Sequence, residues 1–217
     1  YARRENLLSY EVSYKIGMLR FKECLSWCDE LGISYVTSWL LSRENLVRSE
    51  EELEPYFLVL NELFEELIID DLVDNFKIQF IGSTDLLPDY LKETITRLQE
   101  VRGGGEKTLT IALGYGGRQE ILDAIKSLVT ENKEKDLEGL VEEINDEQIR
   151  EHLYLPDAPD IDLVIRTSGE SRLSGFLLWQ SAYSEFVFQD VYWPEFRKID
   201  FLRCLREYTQ RERRFGK

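Results

Sequence analysis

Two arginines and a serine stand close together in the stretch Arg166-Thr167-Ser168-Gly169-Glu170-Ser171-Arg172-Leu173-Ser174. An apolar run, Ile161–Ile165, leads directly into it and reads as a strand. Guanidinium groups carry a fixed charge and forked donors that suit a diphosphate. The small residues between them let backbone N–H groups approach a ligand. Chemistry therefore points to a diphosphate site at this strand end. The competing reading is that Arg166 and Arg172 pair with acids such as Glu170 or Glu185.

Two more segments follow expected strands. One is Leu40-Leu41-Ser42-Arg43-Glu44-Asn45-Leu46-Val47-Arg48, and the other is Gly114-Tyr115-Gly116-Gly117-Arg118. In open α/β sheets, ligands collect beyond the carboxyl ends of strands. The glycine cluster is part of a dinucleotide-binding pattern, but Gln119 stands where the last glycine is required, so a tight strand-to-helix turn is expected. No Walker A sequence, nucleophile elbow or metalloprotease motif is present. The single histidine, His152, lies in a polar stretch and is expected at the surface.

The positioning elements alternate. Helices are expected over Tyr10–Leu31, behind a Ser49–Glu52 capping box, over Asp85–Val101, after Gly117, over Phe176–Tyr183 and over Asp200–Arg211. Strands are expected at Ser34–Leu41, which reads as buried, and at Lys77–Ile81, Leu109–Leu113, Ile161–Ile165 and Phe186–Phe188. Glu131–Glu147 reads as a solvated connection with helical pieces. This order predicts an α/β fold with a mainly parallel central sheet flanked by helices.

The 217 residues are enough for one such domain, spanning 1–217. A net charge of −15 argues against a broad nucleic-acid surface, so an anionic substrate needs a local basic site. Cys24, Cys28 and Cys204 form no disulfide framework, which fits a reducing cytoplasm. The longest apolar runs are too short to span a bilayer, leaving peripheral contact as the only membrane association expected.

The segment Asp162–Phe196, DLVIRTSGESRLSGFLLWQSAYSEFVFQDVYWPEF, resembles the C-terminal signature of the cis-prenyltransferase family, which includes undecaprenyl diphosphate synthase. Ile111–Glu120 is similar to the family's N-Y-G-G-R region, with Gly114 at the asparagine position. Leu41–Ser49 resembles its F-S-x-E-N-W-x-R-P region, with Leu46 for tryptophan and Ser49 for proline.

The resemblance implies an enzyme that condenses isopentenyl diphosphate with an allylic diphosphate, using Mg²⁺, in a homodimer whose subunits each hold an apolar tunnel for the growing chain. It implies that Arg166, Arg172 and Ser174 hold the diphosphate of isopentenyl diphosphate. Asn45 would position that substrate for proton loss, with Ser42 and Arg48 at neighbouring polar and diphosphate positions. Glu185 would serve the magnesium site through the neighbouring subunit, and Arg213-Arg214-Phe215-Gly216 would lie near the dimer interface. Tyr14 takes the place of a phosphate-contacting histidine, and a phenol can donate one hydrogen bond but carries no positive charge.

The family's phosphate loop, D-G-N-x-R-W, is expected just before Tyr1-Ala2-Arg3-Arg4, so the given residues lack it. A non-catalytic subunit supporting an active partner is the alternative. Leu40, two residues before Ser42, stands where long-chain members often carry a small residue, which implies a short or medium product.

Overall fold

The computed structural model describes residues 5, 9–134, 139, 141 and 144–211. The expectations for Tyr1–Arg4, for Arg213–Gly216 and for parts of the 131–147 connection fall outside these residues.

Helix α1 spans Tyr10–Glu30, and the Ser9 hydroxyl caps it by accepting from the Val12 N–H at 3.4 Å. Its buried face includes Met18, Phe21, Leu25 and Cys28, while Val12 and Leu19 are exposed. Strand β1 is Tyr35–Trp39 and α2 is Glu50–Ile69. Strand β2 is Phe76–Ile81, α3 is Asp89–Val101, and β3 is Lys107–Ala112. Then come α4 (Gly117–Glu131), α5 (Asp146–Glu151), β4 (Leu163–Arg166), β5 (Glu185–Phe188) and α6 (Lys198–Gln210).

All the strand pairs are parallel, as expected, but the strands fall into two sheets. One has the order β1-β3-β2, with Val36 and Ile78 flanking Leu109. The other pairs β4 with β5, with Val164 opposite Phe186. Helices α1, α2 and α3 cover the first sheet with Phe21, Leu60, Phe64, Leu67, Leu91 and Leu98, each at most 1% exposed. At ~25 cal/mol per Å² of buried apolar surface, this cluster is the main source of folding free energy. A second cluster joins Trp27 and Cys28 of α1 to Val187 of β5 and to Phe201 and Cys204 of α6. Phe57, Leu60, Leu63, Phe64 and Leu67 of α2 are therefore core residues, while Leu58 faces outward.

Several local expectations change. Strand β1 is half-buried rather than buried, with Tyr35 56% exposed, because β1 pairs only with β3 and stands at the sheet edge. Ser49 caps α2 without a side-chain hydrogen bond: the Glu52 N–H donates to the Ser49 carbonyl at 3.0 Å, and the Glu52 carboxylate accepts from Arg48 at 2.8 Å. Helix α3 begins at Asp89, since Pro88 forces extended backbone on Leu87 before it. Phe176–Tyr183 forms turns rather than a helix. Gly175 and Leu177 have φ of 89° and 43°, left-handed values that a right-handed helix cannot contain. His152 is not a surface residue: its side chain is 12% exposed, wedged between α5 and α4.

Candidate active site

The chemistry predicted for 166–174 rests on an unusual backbone. Arg166 is the last residue of β4. Beyond it, Ser168 and Ser174 have φ of 76° and 51°, and Gly169 also lies in the left-handed region. The Ser168 and Gly169 N–H groups donate to the Val191 and Gln189 carbonyls at 2.8 and 2.9 Å, which ties the loop to the segment after β5. The Arg166 guanidinium binds the loop itself. Its Nη1 donates to the Ser174 hydroxyl at 2.9 Å and to the Arg172 carbonyl. Arg172 pairs with Glu170 at 2.5 Å, and its side chain is 65% exposed. The loop thus presents one guanidinium fixed by loop oxygens and a second tethered by a single acid at the surface. Of the acid pairings read from sequence, Arg172 has Glu170 as its partner, while Arg166 bonds the loop that carries Ser174.

The loop after β1 is built differently. Arg43–Val47 forms a 3₁₀ turn capped by Ser42, whose Oγ accepts from the Asn45 N–H at 3.2 Å. The Ser42 hydroxyl keeps its own proton to donate. The Asn45 amide makes no hydrogen bond among the described residues and is half-buried. Arg48 ends the turn and pairs with Glu52. Leu40 lies half-buried against the main core, and its carbonyl accepts a hydrogen bond from the Tyr56 hydroxyl of α2. Tyr14 of α1 meets the Tyr56 ring edge-on at 4.8 Å. Burial and then the Glu52 carboxylate push the Tyr14 phenol above its ordinary pKa, so it is a neutral donor. Tyr14, Leu40 and Arg48 therefore belong to one neighbourhood, and Arg166, Arg172 and Ser174 to another.

Both neighbourhoods close on the end of β3. Ser42 bridges to Tyr115, and Arg43 binds the Ser83 hydroxyl after β2. Trp39 of β1 stacks on Phe176 at 5.1 Å and 9°. The Gly117 N–H donates to the Gly175 carbonyl at 2.8 Å, and a Cβ on Gly117 would lie 2.7 Å from that oxygen. Gly117 is thus required by close approach. Gly114 has φ of 57°, which a glycine or an asparagine accepts readily.

Glu185 is not brought to this place within one chain. It opens β5 opposite Leu163, whereas Arg166 lies opposite Phe188, about 10 Å along the strands at ~3.3 Å per residue. The Glu185 carboxylate accepts from Arg211 at 2.6 Å. No group of three or more metal-ligating side chains occurs among the described residues. Mg²⁺ commonly takes one or two carboxylates and completes its shell with water and phosphate oxygens. Glu185 fits the part of a single carboxylate ligand in such a shell.

Sequence reasoning passed over Glu120, Gln180 and Tyr56. Glu120 is 1% exposed, and burial raises its pKa despite three donors. Its Oε2 accepts from the Tyr115 hydroxyl, and its Oε1 accepts from the Tyr154 N–H at 3.1 Å and from Gln180 Nε2 at 2.9 Å. The available signal was a charged residue on the apolar side of α4, three residues after Gly117 and four before Ala124.

This arrangement of parallel strands and basic strand-end loop defines a class. The prenyltransferase family model for undecaprenyl diphosphate synthase matches residues 1–216. The chain belongs to that family, the cis-prenyltransferases. It is 44% identical over 220 residues to isoprenyl transferase 1 of Corynebacterium glutamicum, covering 100% of this chain and 97% of that protein. It is 47% identical over 204 residues to the geranylgeranyl-diphosphate-specific tritrans,polycis-undecaprenyl-diphosphate synthase of Pyrococcus furiosus, covering 93% of this chain and 76% of the relative. In three dimensions it resembles lavandulyl diphosphate synthase from Lavandula x intermedia, solved with dimethylallyl diphosphate. That match has a TM-score of 0.89 and 27% identity, and covers 100% of this chain and 92% of the other.

Proposed function

We propose that this chain condenses isopentenyl diphosphate with an allylic prenyl diphosphate to lengthen a cis-prenyl chain. The observation that carries the proposal is the left-handed loop after β4, in which Arg166 binds Ser174 beside the exposed Arg172. Arg166, Arg172 and Ser174 hold the diphosphate of isopentenyl diphosphate. Asn45 turns its free amide toward that substrate's reacting end, with the Ser42 hydroxyl beside it. Arg48 and Tyr14 supply a cation and a neutral donor at the end of β1.

In the reaction the allylic C–O bond breaks and diphosphate departs. The double bond of isopentenyl diphosphate forms the new C–C bond, and a proton leaves to restore an alkene. Fixed donors aimed at the departing charge lower the barrier. Mg²⁺ held in part by Glu185 would neutralise diphosphate charge when bound. Glu185 and the Arg166 loop occupy different ends of β4 and β5, which supports a homodimer in which one subunit's Glu185 serves its partner. Chain growth would follow the apolar side of Leu40 and Tyr56 in a tunnel. No helix among the described residues is long and apolar enough to cross a membrane. Work on a cytoplasmic substrate pool, with the lipid product handed to a membrane surface, is the setting proposed. A non-catalytic subunit draws no support from relatives named for catalysis.

Substitution Arg172→Ala tests the reading. A charge-assisted hydrogen bond contributes about 2–3 kcal/mol, but Arg172 must first leave Glu170, so about a tenfold loss of affinity for isopentenyl diphosphate is expected. The melting temperature should hardly change, because the pair is exposed. Unchanged affinity measured by calorimetry would overturn the assignment of this loop.

A further inference from the structure

Strand β3 lies between β1 and β2, so the two outer strands do not pair with each other. Their last residues, Trp39 and Ile81, stand opposite the same β3 residue, Ala112. At about 4.8 Å between neighbouring strands, the loops that follow them start roughly 10 Å apart. One side chain spans that gap. Arg43 leaves the end of β1 and passes the end of β3, where a Cβ on Gly116 would lie 3.5 Å from its own Cβ. Its Nη1 donates to the Ser83 hydroxyl beyond β2. Ser83 is a firm anchor: it is buried, and its N–H donates to the Gly114 carbonyl at 3.2 Å.

The backbone of the same residue makes a second tie, from the Arg43 N–H to the Tyr115 carbonyl at 2.9 Å. The other hydrogen bonds of the 43–47 turn stay local. The Asn45 N–H donates to the Ser42 carbonyl and hydroxyl, and the Arg48 N–H donates to the Asn45 carbonyl. Among the described residues, Arg43 therefore makes every hydrogen bond from residues 43–47 to the other two strand ends. Its charge has no carboxylate partner among the described residues, and the residue is half-buried. Drawing a guanidinium out of water onto a neutral hydroxyl costs free energy that an acid would offset. Stability alone gives no reason for this placement.

We propose that Arg43 is a positioning residue: by tying the β1 loop to the β2 loop across β3, it sets the turn that aims the Asn45 amide at isopentenyl diphosphate. The proposal rests on the reading that Asn45 positions this substrate for proton loss. Arg43 acts through the backbone of its own turn, two residues before Asn45. The Asn45 amide has no hydrogen-bond partner among the described residues, so its direction follows from the turn.

Three variants separate the tie from the charge. Arg43→Ala removes both. Ser83→Ala removes the acceptor and keeps the charge. Arg43→Lys keeps the charge and a donor on a long stem, without the planar fork. Steady-state kinetics on the full chain, with isopentenyl diphosphate varied, reads the difference. Arg43→Ala should lower kcat about tenfold or more, because small misplacements of a reacting geometry are costly. The KM for isopentenyl diphosphate should stay within about twofold, since the 166–174 loop is untouched. Ser83→Ala should lower kcat in the same way by about threefold to tenfold, the size of one hydrogen bond. Arg43→Lys should recover kcat to within about threefold of the parent. Isopentenyl diphosphate deuterated at the carbon that loses the proton should show a larger isotope effect on kcat in Arg43→Ala than in the parent.

A folded Arg43→Ala protein with parental kcat would overturn the proposal. So would a parental kcat in Ser83→Ala, whether or not Arg43→Ala folds, because the tie would then be dispensable. Asn45→Ala distinguishes the two levels. If Arg43 acts through Asn45, the Arg43→Ala, Asn45→Ala double variant should be no slower than Asn45→Ala alone, within about twofold. A parental kcat in Asn45→Ala means that the reading of Asn45 fails and the proposal with it. A slow Asn45→Ala protein that Arg43→Ala slows by a further tenfold or so means that only the positioning role fails.

Discussion

The loops after β4 and after β1 both close on the end of β3, yet they are held by different means. After β4 the chain takes left-handed torsions at Ser168, Gly169, Ser174, Gly175 and Leu177, and a guanidinium ties the turn together from inside. After β1 the chain follows a short capped turn, and its shape comes from neighbours: Tyr56 bonds the Leu40 carbonyl, and Tyr14 leans on Tyr56. One loop is polar and exposed, the other half-buried against the largest core cluster. A molecule that is anionic at one end and a hydrocarbon at the other needs both kinds of surface. In the proposed reading, the charged end meets the polar, exposed loop, and the apolar part falls where side chains are packed.

The sharpest way to break this comparison is Arg166→Ala. It removes both the proposed substrate contact and the brace on Ser174, so it should cost more than Arg172→Ala. A loss of about a hundredfold in isopentenyl diphosphate affinity is expected, with two charge-assisted bonds at stake. Calorimetric titration of the two variants side by side checks the order. Equal losses would mean that Arg166 does not shape the loop.

Tyr56→Phe probes the other side. It leaves the Leu40 carbonyl unpaired beside the core, at a cost of about 1–3 kcal/mol in folding stability. Urea midpoints at constant slope would report it. Affinity for isopentenyl diphosphate should stay the same, because the cost falls on the packed region. A stable Tyr56→Phe protein with weakened diphosphate binding would show that the two loops are one unit.

Leu40→Ala extends the same test to product size. Removing about three heavy atoms next to the packed tyrosines makes room that a growing chain can use. Longer products by chromatography would support Leu40 as a wall and a short or medium product for the parent. An unchanged distribution from a stable variant would place the limit elsewhere.

The smallest effect is expected away from both loops. The imidazole of His152 contacts the Gln148 carbonyl and Glu131, each at 2.8 Å. These contacts, the carbonyl first, raise its pKa, and Glu131 and Glu151 are the nearby charges. A raised folded value means that His152 adds stability below its unfolded pKa of about 6.5, and that this stability fades as pH rises through the folded value. His152→Gln should flatten stability against pH across that window without altering either loop. Melting temperatures measured from pH 6 to 9 would show it, and a parallel slope in the variant would exclude His152 as its source.

Much of this architecture was legible. Alternating apolar strands and helices predicted the parallel α/β arrangement, because burial on a strand or a helix imposes its own period. The same logic failed at Phe176–Tyr183, where an apolar and aromatic stretch folds into turns. There the backbone is set by contacts with α4 through Gly117 and Glu120, which no local period encodes. For the candidate site, the sequence suggested residue types, but their grouping in space was not legible. Arg166, Arg172 and Ser174 are sequence neighbours and stayed together, whereas Glu185 is separated from them by the direction of β5. Tyr56 stayed hidden because its one essential act, bonding a carbonyl sixteen residues back, looks in sequence like another aromatic on an apolar helix face.

The torsions of the β4 loop have a consequence for engineering. The turn is held partly by its own dihedral angles and an internal arginine brace, and partly by bonds from the Ser168 and Gly169 N–H groups to the Val191 and Gln189 carbonyls. On the α4 side, the Gly117 N–H donates to the Gly175 carbonyl. Residues 166–175 would therefore have to be transplanted onto another open α/β scaffold together with the segment at 189–191. The tyrosine-packed loop after β1 would have to travel with two helices.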